Sequence, residues 1–230
     1  MPILKCRAVL FDLDGTLIDS RVSIDVAYAA WCAEHGLDLR ETLETAHGRR
    51  TQDSVRLIVP HCDPDVEVKK LEDLECATVE GLVAMLGAKE LLTHLGTTHW
   101  AIVTSGSRRL ANHRLSHCGF LPPPIFITAD DVVHGKPNPE GYRKAADGLG
   151  VSYADCIVFE DAPAGVQAAR SAGMRSIAVA STHPMEALSD ADYRVLDWSK
   201  VRIEIANGAD DGAGSGAGVG VGLLRVVLPD

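Results

Sequence analysis

Five short apolar runs bounded by turn residues punctuate the chain: AVLF (8–11), AIVT (101–104), IFIT (125–128), CIVF (156–159) and SIAVA (176–180). Their hydrophobicity is continuous rather than alternating, the pattern of strands covered on both faces. Stretches with helical periodicity lie between the later runs: SRRLANHRLSHCG, PEGYRKAADGLG and APAGVQAARSAG, each closing on a glycine suited to a helix C-terminus. Strands alternating with helices predict an α/β fold with a doubly wound, Rossmann-like parallel sheet.

The rhythm breaks between the first two runs. Residues 20–85 carry no convincing strand and read as helices, RVSIDVAYAAWCAEHG, TQDSVRLIV and VEVKKLEDLECATVEGL. Such a block is far longer than an ordinary crossover and predicts an inserted α-helical cap over one end of the sheet. The expected organisation is a core domain from 1–18 and 88–206, a cap over 19–87, and a Gly/Ala-rich tail over 207–230. Within that tail GADDGAGSGAGVGVG (208–222) reads as a flexible linker. The segments on either side, VRIEIA (201–206) and LLRVVL (223–228), are strand-like. A terminal β-hairpin and a disordered tail fit this pattern equally.

Composition narrows the partners. At 46% hydrophobic and 23% charged residues, a packed core is expected. The net charge of -10 argues against nucleic acid and anionic membranes, which need a basic footprint. The six scattered cysteines form no C-x-x-C pair, as expected of free thiols in a reducing compartment. The opening MPILKCRAVLFDLDG carries charges within its apolar stretch and lacks a small-residue cleavage site. No uncharged apolar run approaches the roughly 20 residues that span a bilayer. A cytoplasmic protein is expected.

Four segments carry candidate chemistry, each at the carboxyl end of a predicted strand, where open parallel sheets bind ligands. In FDLDGTLIDS (11–20), Asp12 and Asp14 are hard oxygen donors suited to Mg²⁺, and an ionised Asp can attack phosphorus. A turn after a strand explains the pair equally well, and the further ligands of a calcium loop are missing. In VTSGS (103–107), Thr104, Ser105 and Gly106 offer a hydroxyl and backbone N–H donors to phosphate, although a plain helix cap has the same residues. In HGKPNPEGY (134–142), Lys136 is constrained between glycine and proline, as a fixed cation opposite phosphate should be. In VFEDAPAG (158–165), Glu160 and Asp161 are adjacent acids that repel unless a cation sits with them. The order of all four is what singles out phosphate chemistry.

Together these motifs resemble the haloacid dehalogenase-like (HAD) superfamily over the whole chain apart from the tail. HGRRTQDS, FITADDVVHGKPNPEGY and FEDAPAGVQAARSAG are most similar to sugar-phosphate and glycerol-phosphate phosphatases with a helical cap between the first two core strands. The resemblance implies that Asp12 attacks the phosphoryl group and becomes an aspartyl phosphate. Asp14 would protonate the leaving alcohol and then activate water. Thr104 and Lys136 would bind the phosphoryl oxygens. Asp161, Asp12 and the Asp14 carbonyl would hold Mg²⁺, with Glu160 directly or through water. Because Asp14 is present, phosphate chemistry is favoured over dehalogenation. β-Phosphoglucomutase is the nearest rival, but Ile24 stands where its cap histidine belongs and Thr51 where its cap arginine belongs. A non-catalytic phosphometabolite-binding protein is a second alternative, although no catalytic acid is missing.

Cap residues should choose the leaving group. In the HGRR turn (47–50), His47, Gly48 and Arg50, with Thr51 after them, are candidate contacts to a hydroxylated substrate; a solvated interhelical turn is the plain alternative. The expected partner is a small phosphorylated metabolite. A monomer is expected, since the cap must swing.

Overall fold

The computed structural model describes residues 2–95, 99–205 and 223–229. Six strands form the central sheet: β2 (Ala8–Phe11), β5 (Trp100–Val103), β6 (Phe126–Ile127), β7 (Cys156–Glu160), β8 (Arg175–Val179) and β9 (Tyr193–Val195). Their spatial order is β6-β5-β2-β7-β8-β9, and every neighbouring pair is parallel. The strands β2, β5 and β7 are buried at every position, as continuous apolar runs require when both faces are covered. On one face Phe11 stacks on Phe159 with centroids 5.5 Å apart, and Trp198 packs against both. On the other face α7 (Glu140–Leu149) and α8 (Pro163–Ala172) pack small residues, including Ala145, Ala146, Ala168 and Ala169, so the helices lie close to the strands.

Besides the two-residue strands described below, two strands left no continuous apolar run in the sequence. β9 is only three residues long, and β1 (Ile3–Cys6) alternates exposed and buried positions at an edge. β1 pairs antiparallel with β11 (Leu224–Val227), which pairs antiparallel with β10 (Arg202–Ile205) in a separate three-stranded sheet. The strand-like segments on either side of the glycine-rich stretch are therefore paired. The linker expected over 208–222 lies outside the described residues.

Four helices fill the insertion: α1 (Arg21–His35), α2 (Leu39–Ala46), α3 (Thr51–Ile58) and α4 (Pro64–Ala77). They enclose their own apolar cluster around Tyr28, Trp31, Val55, Val59 and Leu71. The buried Trp31 indole donates to Glu67 at 2.9 Å, which satisfies its one polar atom. The expectation of no strand over 20–85 needs correction. Val83–Ala84 (β4) pairs antiparallel with Ile18–Asp19 (β3), closing the block where it leaves and re-enters the sheet. Two-residue strands are too short to leave an alternation. α4 likewise stops at Ala77, before the TVEGL that the helical pattern had included. Among the described residues, no helix is long and apolar enough to cross a membrane.

Candidate active site

From β6, at one edge, the chain returns to β7 on the far side of β2. That reversal opens a crevice at the carboxyl ends of β2 and β7, where ligands bind in such sheets. Asp12 immediately follows β2, and its N–H continues the ladder to the Phe159 carbonyl at 3.0 Å. Glu160 ends β7 and Asp161 follows it. Carboxylate oxygens of Asp12, Glu160 and Asp161 lie within 4.8 Å of one another, and all three residues are buried.

Lys136 enters from the loop before α7. Its ammonium is 2.5 Å from Asp12 Oδ1 and 2.5 Å from Glu160 Oε1. The Tyr142 hydroxyl donates to the same Glu160 oxygen at 2.7 Å, while Glu160 Oε2 accepts the N–H groups of Asp161 and Ala162 at 3.0 and 3.2 Å. Glu160 is thus committed to holding Lys136. Asp12 and Asp161 each have one oxygen committed, to Lys136 and to the Thr182 hydroxyl. Two glycines make the convergence possible. A Cβ on Gly165 would stand 1.7 Å from Glu160 Oε1, and one on Gly15, whose φ is +79°, 2.2 Å from Asp161 Oδ2.

Charge is unbalanced here, with three carboxylates facing one ammonium. Burial opposes the Lys136 charge, but Asp12 and Glu160 outweigh it and hold the ammonium above its ordinary value. Burial raises Asp12 well above the usual carboxylate range despite Lys136, with Glu160 and Asp161 adding to it. Burial and Glu160 push Asp161 up to about 8. A buried set of hard oxygens carrying excess negative charge fits a hard divalent cation.

Polar groups from core and cap line the rest of the cleft beside apolar side chains such as Ile24, Tyr28 and Leu43. Thr104, Ser105 and Gly106 follow β5 and line the same cleft as Asp12 and Lys136. Thr104 Oγ1 accepts the Gly106 N–H at 3.1 Å, and the Ser105 hydroxyl donates to the Gly48 carbonyl at 3.0 Å, tying core to cap. Asp14 lines the cleft with both oxygens held: Ser20 donates to Oδ1 at 2.7 Å, and Arg114 lies 2.6 Å from Oδ2. From the cap, His47, Gly48 and Thr51 line this cleft. Arg50 goes elsewhere. Its guanidinium pairs with Asp53 at 2.7 Å and donates to the Val132 carbonyl at 3.1 Å, while Arg49 faces the cleft instead. Burial and the facing His183 lower the pKa of His47; their rings are 5.8 Å apart.

Sequence reasoning passed over Arg114, Glu75, Thr182 and His183, all of which line the cleft. Arg114 left a signal. On α6 (Arg108–His117) the buried positions are Leu110, Ala111, Arg114 and Leu115, so an arginine occupies the apolar stripe of a helix. Thr182 and His183 lie in an irregular loop after β8, where no periodicity points to them.

A family model for haloacid dehalogenase-like hydrolases matches residues 6–173. Hexitol phosphatase A of Escherichia coli (strain K12) is 39% identical over 194 residues, covering 82% of this chain and 90% of the relative. Glycerol-1-phosphate phosphohydrolase 2 of Saccharomyces cerevisiae is 35% identical over 226 residues, covering 90% of this chain and 89% of the relative. Among solved structures, CbbY from Rhodobacter sphaeroides in complex with phosphate superposes with a TM-score of 0.74 at 22% identity, over 84% of this chain and 95% of that one. At that identity the superposition speaks for the fold alone, a parallel sheet with a helical cap between the early strands. With its four strand-end motifs gathered at one crevice and the family model matched across most of its length, the chain belongs to the haloacid dehalogenase-like hydrolases.

Proposed function

We propose that this hydrolase is a magnesium-dependent phosphatase that removes phosphate from a small sugar or polyol phosphate through an aspartyl phosphate on Asp12. The observation that carries the reading is the Lys136 ammonium clamped between Asp12 and Glu160, with Asp161 beside them. Such a constellation addresses the central difficulty of the reaction, which is bringing a carboxylate up to a phosphate anion. Asp12 and Asp161 are the residues that would hold Mg²⁺, which supplies further neutralisation of phosphoryl charge.

Lys136 fixes Asp12 and meets the transferring oxygens, while the Thr104 hydroxyl and the Ser105–Gly106 turn supply neutral donors. Attack by an Asp12 oxygen forms the Asp12–phosphorus bond as the bond to the leaving alcohol breaks. Asp14 gives that alcohol its proton, then takes one from the water that attacks phosphorus and restores Asp12. The polar side chains that the cap brings to the cleft, His47, Arg49 and Thr51, agree with a hydroxylated leaving group. The bacterial and yeast relatives are named for acting on hexitol and glycerol phosphates, which supports the same substrate class.

Phosphate release from sorbitol 6-phosphate, glycerol 1-phosphate and 2-deoxyglucose 6-phosphate tests this. With Mg²⁺ present at least one should turn over, and Asp12→Asn should lower kcat by about 10³-fold or more. Equal rates for wild type and Asp12→Asn would refute the mechanism. Isomerised sugar phosphate in place of free phosphate would point to a mutase.

A further inference from the structure

Arg114 stands outside the strand-end motifs, yet it touches the acid–base candidate. It belongs to α6, its side chain is 5% exposed, and its guanidinium is closed between two carboxylates. One is Asp14 Oδ2, at 2.6 Å. The other is Glu75, on cap helix α4 and also 5% exposed. Ser20 takes the second Asp14 oxygen at 2.7 Å, so the carboxylate cannot turn about its Cβ–Cγ bond without breaking a contact.

We infer that Arg114 is a positioning residue for Asp14, holding its carboxylate in one orientation in the cleft, and that Glu75 locks the guanidinium in that pose from the cap. A guanidinium suits the task because its rigid planar fork binds two carboxylates at fixed angles, which a lysine cannot do. Burial raises the stakes, since removing one partner of such a set leaves an unpaired charge. An ion pair that served packing alone would have no reason to grip a carboxylate lining the reaction cleft. Proton transfer is sensitive to placement, and an error of about 1 Å can cost about 10²-fold in rate.

This inference rests on the role given to Asp14 above, and leaving-group dependence separates the two. An alkyl phosphate must have its leaving oxygen protonated, whereas p-nitrophenolate departs unaided. The quantity to compare is kcat/KM, which reports only the steps through transfer of the phosphoryl group to Asp12. The substrates are sorbitol 6-phosphate and glycerol 1-phosphate on one side and p-nitrophenyl phosphate on the other, all with Mg²⁺ and the full chain. Asp14→Asn should lose about 10²- to 10⁴-fold on the alkyl phosphates and less than about tenfold on the aryl phosphate. Arg114→Lys should shift the alkyl-to-aryl ratio the same way by about tenfold or more. Should Arg114→Lys fail to fold, the double change Arg114→Met with Glu75→Gln keeps similar volume without leaving Glu75 as an unpaired buried charge, frees the cleft-facing Asp14 from its guanidinium, and should shift the ratio likewise. Equal losses on both substrate types in the Arg114 variants, beside a selective loss in Asp14→Asn, would overturn the inference and leave the phosphatase reading standing. An unselective Asp14→Asn would overturn both, since no acid would remain to be positioned.

Discussion

Asp161 shows what burial beside two other carboxylates does to an acid. Burial and the Glu160 carboxylate push its pKa up to about 8. The folded protein then binds that proton more tightly than the unfolded chain does. The stabilising effect is complete below the ordinary carboxylate range and is lost as pH rises towards about 8. In EDTA, therefore, Asp161→Asn should melt higher than wild type, with a Tm difference that grows between about pH 5 and pH 8. Mg²⁺ should raise the Tm of wild type by mass action and leave Asp161→Asn nearly unmoved. Equal Mg²⁺ responses in the two proteins would remove Asp161 from the metal site. At this scale much was readable beforehand. Asp12, Asp14, Thr104, Lys136, Glu160 and Asp161 stand in short motifs at strand ends, and the structure gathers them at one cleft. Arg114 was harder to read because α6 is strongly polar overall, and only its spacing with Leu110, Ala111 and Leu115 betrays the buried face.

Among the elements, the turn between α2 and α3 separates two kinds of cap residue. His47 and Thr51 face the cleft, whereas Arg50 is 6% exposed and clasps Asp53 and the Val132 carbonyl. Charge type alone made Arg50 a candidate substrate contact. Its direction depends on the cap lying against the 132–136 loop, which no local pattern encodes. Arg50→Ala should accordingly lower kcat/KM on sorbitol 6-phosphate and glycerol 1-phosphate by a similar factor, about tenfold, by loosening the cap. His47→Ala should change the ranking of the two substrates. If Arg50→Ala alone reorders them, the arginine touches substrate. The central strands were legible to within one residue because burial on both faces leaves an uninterrupted apolar run, as in β2 and β7. The two-residue strands β3 and β4 lack the length for a period to appear.

In the whole molecule, candidate catalytic groups from four distant segments meet because one sheet reverses its winding beside β2. The helical block supplies a separate apolar core, and it touches the site through side chains such as His47 and Glu75. The central claim is that this convergence makes Asp12 a covalent carrier of phosphate. Its most direct test uses Asp14→Asn with p-nitrophenyl phosphate and Mg²⁺, because the leaving group then needs no acid while hydrolysis of the intermediate lacks its base. Rapid acid quenching and peptide mapping should find the phosphoryl group on Asp12, accompanied by a burst of nitrophenolate near one equivalent per chain. Steady release without a burst and with Asp12 unmodified, or a phosphoryl group on any other residue, would contradict the account.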